Sequence, residues 1–177
     1  MVEAMTAPRE VTTEPMVRVT REGPQDLPLG SPTRPMVSLF GARQVALRPS
    51  PGCRLEVIEL EERDAYVREE KLAALDLELT YENGRLASGH GDAVSMVHVR
   101  GTGTLVLELP VTVAAMEATQ DAGCLVRCEV LIGWTGRLVP RCLPAVDAPG
   151  HARGWVAFGG EGAVLFDAAS EVAYRTR

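Results

Sequence analysis

The sequence predicts an all-β protein, a twisted β-sandwich or prism built from two pseudo-repeated halves. Three observations predict it. The stretch Val97-His-Val-Arg-Gly-Thr-Gly-Thr-Leu-Val-Leu-Glu108 returns 59 residues later as Val156-Ala-Phe-Gly-Gly-Glu-Gly-Ala-Val-Leu-Phe-Asp167. Each copy is an apolar run, a Gly-x-Gly step and a second apolar run ending in a carboxylate. Leu75, Leu77, Leu79 and Tyr81 alternate with Asp76, Glu78 and Thr80, the period of a half-buried strand. Asn83-Gly84 follows at once, the preferred dipeptide of a two-residue type I′ hairpin turn, so a returning strand is expected near Arg85-Leu86.

Taken in order, residues 1–35 hold six of the twelve prolines, with short apolar pieces such as Met16-Val-Arg-Val19 between them. This predicts an extended, mostly unpacked, partly disordered arm carrying at most one edge strand, which a partner could order. The compact part is expected over 36–168, in halves of about 36–113 and 114–168. Pro49-Ser-Pro-Gly52 is a turn by composition, and Leu55, Val57, Ile58 and Leu60 suggest a strand. Glu61–Lys71 is dense in Glu, Arg and Lys, and any helix in the chain is expected near it; strand is the alternative there.

Further on, Ser88–Asp92 reads as a polar loop. Leu105, Leu107, Leu109, Val111 and Val113 alternate through Pro110, which favours an edge or a bend. Asp121-Ala-Gly123 is expected to turn the chain, Leu125–Ile132 to form an apolar strand, and Gly133–Gly136 to form a second turn. Trp155–Phe158 and Ala163–Phe166 close the core, and residues 169–177 form a polar tail. Gly52-Cys53 and Gly123-Cys124, 71 residues apart, add a second loose correspondence between the halves.

Composition bounds the function. At 177 residues and 46% hydrophobic content the chain can bury a sizeable core, but with 5% aromatics that core is built from Val, Leu and Ala. A net charge of −6 lacks the basic footprint of a nucleic-acid binder. Four cysteines are too few for a disulfide scaffold, and no stretch reaches the roughly 18 apolar residues of a membrane span. The N-terminus lacks the apolar core of a signal peptide, so a cytoplasmic setting is expected.

The pairing of Gly101-Thr-Gly103 and Gly160-Glu-Gly162 with flanking apolar strands resembles a mitochondrial-biogenesis family, that named for altered inheritance of mitochondria (member twenty-four). Many of its bacterial members have no assigned activity. The resemblance covers roughly residues 36–168. It implies a twisted β-sandwich or prism, likened to the tryptophan RNA-binding attenuation protein, that assembles as a homotrimer and has no recognised catalytic centre.

Several constellations could carry chemistry, and each has a plainer role. Cys124, Cys128, Cys142 and His151 are possible zinc ligands, yet structural zinc draws on two close pairs and Cys142 and His151 are widely spaced. On one extended strand Cys124 and Cys128 would stand about 13 Å apart. Buried inert thiols are the expectation. Gly101, Gly103, Gly160 and Gly162 run into strands, without the Lys-Ser/Thr or the helix of a phosphate loop, so they are expected to be structural. His90 beside Asp92 lacks a nucleophile elbow, and Glu69, Glu70 and Asp76 read as a solvated face. His98, between Val97 and Val99, is packed or exposed.

Trp134 and Trp155 are the two tryptophans and the expected interface or ligand contacts. The sequence therefore predicts no catalytic residue, no metal and no cofactor. It predicts a homo-oligomeric scaffold or protein-interaction module, self-associating as a trimer, with a protein partner and without nucleic-acid binding or membrane insertion. The alternative is a small-ligand module using a cleft between the two β halves.

Overall fold

The structure, a computed structural model, describes residues 10–11, 15–18, 30–31, 34–38, 45–76, 78–87, 93–143, 154–169 and 173–176. In chain order its strands are β1 (Glu10–Val11), β2 (Pro15–Arg18), β3 (Gly30–Ser31), β4 (Arg34–Ser38), β5 (Val45–Ala46), β6 (Cys53–Glu61), β7 (Ala65–Arg68) and β8 (Leu72–Asp76). They continue as β9 (Thr80–Ala87), β10 (Ala93–Arg100), β11 (Thr102–Pro110), β12 (Val113–Ala118), β13 (Gly123–Arg127), β14 (Leu131–Leu143), β15 (Trp155–Asp167) and β16 (Ala173–Thr176). Among the described residues the helical content is one 3-10 turn, Glu69–Lys71. The protein is all-β.

Two antiparallel sheets carry most of these strands. One runs β3-β4-β2-β8-β11-β6; the other runs β16-β13-β15-β14-β7-β10-β9, with β12 also on β15. A two-stranded ribbon, β1-β5, stands apart. The chain divides into two compact units, and they interleave in sequence. One holds Met1–Arg63, Glu69–Glu82 and Val99–Val111; the other holds Asp64–Arg68, Asn83–His98 and Thr112–Arg177.

In the first unit β11 is central, with β6 antiparallel to it from Thr102↔Glu61 to Pro110↔Cys53 and β8 on its other side. The period-two pattern works as strand geometry requires. Leu60, Leu72, Leu75, Leu105, Leu107 and Leu109 are each at most 3% exposed, and each such side chain contributes about 1.5–3 kcal/mol by burial. A smaller cluster of Leu55, Ala74 and Val106 packs with Leu47, Val57 and Ala73.

In the second unit β15 is central. β14 lies along one edge, while β12 and β13 lie end to end along the other. Ala118 pairs with Gly162 and Cys124 with Phe158, so six steps on one side match four on the other. The two extra residues form a bulge at Thr119–Ala122, closed by Thr119 N–H donating to Ala122 O at 2.8 Å. The core below these strands gathers Cys124, Val126, Trp134, Val156, Phe158 and Val164.

Several local expectations are corrected. Asn83-Gly84 lies inside the continuous strand β9, and neither residue has the positive φ that a type I′ turn demands. The chain turns earlier, where Leu79 N–H donates to Asp76 O at 3.1 Å. The expected strand over 75–81 is thereby split between β8 and β9, which lie in different sheets. Glu61–Lys71, open between helix and strand, contains both: the end of β6, the strand β7 and the 3-10 turn, which is where any helix was expected. Leu125–Ile132 is likewise two strands, broken at 128–130 by a turn in which Val130 N–H donates to Arg127 O at 3.2 Å.

Gly133–Gly136 is not a turn but part of β14. Its first glycine is needed because a Cβ there would stand 2.3 Å from Tyr66 O on the adjoining β7. Asp121-Ala-Gly123 is the bulge just described and does not reverse the chain. Leu105–Leu107 are flanked by both β6 and β8, while Pro110 pairs with β6 alone and is followed by a turn at 111–112, the edge and bend expected there. In the N-terminal arm Pro15–Arg18 is also interior, paired with β4 and β8, so the arm contributes more than an edge. The expected polar tail contains β16, which pairs with β13. The Ser88–Asp92 loop with His90, and His151, fall outside the described residues.

Candidate functional site

The four glycines marked by the sequence serve two different geometries. Gly101 separates β10 from β11 with φ 119°, and there the chain leaves the eight-stranded sheet for the six-stranded one. Gly103 follows with φ 155°, and the Asp76 carboxylate accepts a 2.7 Å hydrogen bond from Thr104 N–H beside it. Gly160 and Gly162 instead sit within β15, which kinks but does not leave its sheet. Gly160 has φ 107°, and a Cβ on Gly162 would stand 2.1 Å from Thr135 O. The first copy of the motif is a corner and the second is a close backbone approach.

The two tryptophans separate as well. Trp134 faces the core, 3% exposed, stacked on Tyr66 at 4.8 Å and tilted against Phe158 at 5.3 Å. Its indole N–H is buried without an acceptor among the described residues. Trp155 is half-buried and, by alternation along β15, lies on the opposite face.

That opposite face is the candidate site. Along β15 the residues Val156, Phe158, Val164 and Phe166 are buried, so Trp155, Ala157, Gly159, Glu161, Ala163 and Leu165 turn outward. Register places Val139 directly across from Gly159, Arg137 across from Glu161, Arg141 across from Ala157, and Leu125 on the far side of Ala157. Val139 is 71% exposed, on a stretch of β14 that has β15 along one side and lies beyond the Gly133–Thr135 pairing with β7 on the other. The face therefore has an apolar middle of Val139, Gly159, Ala157 and Leu125. Arg137, Glu161 and Arg141 border it, and Trp155 lies toward one end. An apolar centre with aromatic and arginine contributions is the composition of a protein interface.

On the core side of the same unit His98 stacks on Tyr66, and its Nε2 lies 3.2 Å from Asp64 Oδ2. Sequence reasoning placed His98 only as packed or exposed. The partner on β7 was invisible because nothing in the sequence says that β7 lies beside β10.

The cysteines are free and serve the packing. Cys124 Sγ approaches the Met116 and Glu117 carbonyl oxygens at 3.8 and 3.6 Å. Cys128 falls in the turn after β13, where Arg68 Nη2 donates to its carbonyl oxygen. Burial pushes the Cys142 thiol up, and Cys128 nearby adds to the shift. Among the described residues no three His, Cys, Asp or Glu side chains converge as metal ligands. No described helix is long and apolar enough to cross a membrane.

The described residues define a two-unit, all-antiparallel β protein whose β14–β15 outer face carries the exposed Val139. The fold is similar to that of a crystallised protein from Streptococcus pyogenes, with a TM-score of 0.69 and 14% sequence identity. The alignment covers 94% of this chain and 91% of that one. At that identity the likeness is one of fold alone. No family model matches the chain, and no curated protein does.

Proposed function

We propose that the protein is a non-catalytic, homo-oligomeric scaffold and protein-interaction module. We place it with the altered-inheritance-of-mitochondria family that its paired Gly-x-Gly strands resemble. The observation that carries the reading is the outer face of β12–β15, where Val139 is 71% exposed across from Gly159. An exposed valine across from a glycine gains little by burial within the single chain that displays it. Covering it with another copy removes apolar area from water at about 25 cal/mol per Å².

On this reading the working parts are surfaces, the assembly is a trimer, and a cytoplasmic protein partner is held by it. The four glycines shape the strands and take no ligand. Light scattering across a dilution series tests the assembly. The reading expects a mass near three times 19.0 kDa that persists at micromolar concentration. A mass of one chain throughout sinks it.

A further inference from the structure

We infer that the free edge of β6 is a docking strand for an extended basic segment of a partner protein, added by β-augmentation. The inference rests on the reading of the chain as an interaction module and names the surface and the partner's chemistry.

β6 ends the six-stranded sheet, and its one strand partner among the described residues is β11. The hydrogen-bond phase of that ladder shows which backbone groups remain unpaired. Glu62 N–H donates to Gly101 O at 3.2 Å, and Val111 N–H donates to Gly52 O at 3.3 Å. In an antiparallel ladder hydrogen-bonded pairs alternate with non-bonded ones. With the register at Thr102↔Glu61, the even residues of β6 therefore bond to β11. Leu55, Val57, Glu59 and Glu61 direct their N–H and C=O groups away from it. No backbone hydrogen bond from these four to another described element occurs.

Sheet edges are normally blunted by proline, lysine, a bulge or extreme shortness. β6 lacks those four, and the protection it does carry is acidic: Glu59 and Glu61 are exposed, and Glu56 is a buried charge held by Arg54. The strand is nine residues long, lacks proline and lysine, and pairs with β11 without a register shift. A ladder that regular offers an incoming strand a straight template, the first requirement of strand addition.

Charge selects the occupant. Glu59, Glu61 and Glu62 are exposed and make no ion pair among the described residues, whereas Arg54 is already held by Glu56 at 2.8 Å. Glu59 and Glu61 project from the same face two residues apart, so an added strand meets them with residues that are also two apart. Opposite charges directly across strands stabilise, and like charges destabilise. The matching partner carries Lys or Arg at alternate positions, followed by small apolar residues opposite Val57 and Leu55. An acidic or neutral strand lacks this match.

The test uses the full chain and a fluorescein-labelled peptide, Lys-Thr-Lys-Thr-Val-Thr-Val, which is antiparallel-compatible with β6 from Glu61 back to Leu55. Fluorescence anisotropy should show saturable binding. Methylating the third and fifth amide nitrogens, which face β6, should weaken it by at least about tenfold through lost hydrogen bonds. Exchanging both lysines for glutamates should abolish it. Glu59→Pro, at an exposed position, removes an outward N–H that β11 does not use and should also abolish binding with circular dichroism unchanged. The double variant Glu59→Lys/Glu61→Lys, at exposed positions, should reverse the preference toward the glutamate peptide.

Absence of binding by the lysine peptide overturns the inference, as does equal binding of the methylated peptide. If Glu59→Pro instead lowers the oligomeric mass, a second copy holds this edge and the basic partner is wrong. The mass of unmodified protein, read in the same samples, separates the two ideas. A single-chain mass with intact peptide binding sinks the oligomer reading alone. An oligomer that ignores the peptide sinks this one.

Discussion

Tyr66 and His98 lie face to face, their ring centroids 4.1 Å apart and their planes 6° from parallel. They stand on β7 and β10, neighbours in the eight-stranded sheet, and the stack continues to Trp134 on β14 at 11° between planes. Three strands thus share one aromatic column. A double-mutant cycle of Tyr66→Leu and His98→Leu, read by urea unfolding, should give a coupling of about 0.5–1.5 kcal/mol. Trp134 fluorescence should change in the Tyr66→Leu protein. Additive single effects would mean that the column is proximity without energy.

The glycine geometry predicts an ordered series. Gly162→Val should cost about 1–3 kcal/mol or more, because its Cβ would stand 2.1 Å from Thr135 O and 2.9 Å from Leu138 Cγ. Gly103→Val should fall in the same range, from its φ of 155° and a Cβ 3.1 Å from Leu79 Cγ. Gly159→Ala, whose Cβ meets nothing within 4 Å, should be tolerated far better. Urea midpoints at constant m-value give the ranking. Equal losses at all three positions would contradict it.

Cys142 supplies a pH prediction. Its thiol is pushed above the ordinary range by burial first and by Cys128 second. The folded state therefore holds its proton at pH values where the unfolded chain has lost it. The sign follows: this contribution is fully present below the ordinary thiol pKa of about 8.5 and is lost as pH rises through the raised value. Stability should fall between those limits, and less steeply in Cys142→Ala. Cys142 should also react more slowly with iodoacetamide at pH 8 than an unfolded-chain thiol does. Faster reaction would reverse the assignment.

How much of this was legible in the sequence depended on how local the cause was. The alternation Leu105, Leu107, Leu109 announced the strand that Pro110 ends, though not that Val106 buries its other face as well. Asn83-Gly84 misled because turn preference is local, while the ladder that keeps β9 straight comes from a distant segment. Gly133 and Gly136 read as turn residues for the same reason. Their small size serves the approach of β7 and β15, and those neighbours have no signature near residue 133. Trp134 and Trp155 looked alike in sequence, each beside a glycine, and only their strand parity separates core from surface. The open edge of β6 could not be read at all, since a strand's neighbours are set by topology.

Far-ultraviolet circular dichroism should show a strand-dominated spectrum, because one 3-10 turn is all the described residues contribute to helix. Helix above roughly a quarter of the chain would contradict the architecture.

The central claim is that the outer face of β12–β15 joins copies of this chain, and Val139 tests it most directly. Val139 is exposed within a single chain, so Val139→Glu should leave the fold intact and place a charge in the apolar middle of the proposed interface, which costs desolvation on assembly. Light scattering should give a mass near three times 19.0 kDa for the unmodified protein and close to 19.0 kDa for Val139→Glu, with identical circular dichroism. An unmodified protein of one-chain mass, or a Val139→Glu protein that keeps the full assembly, would contradict the account.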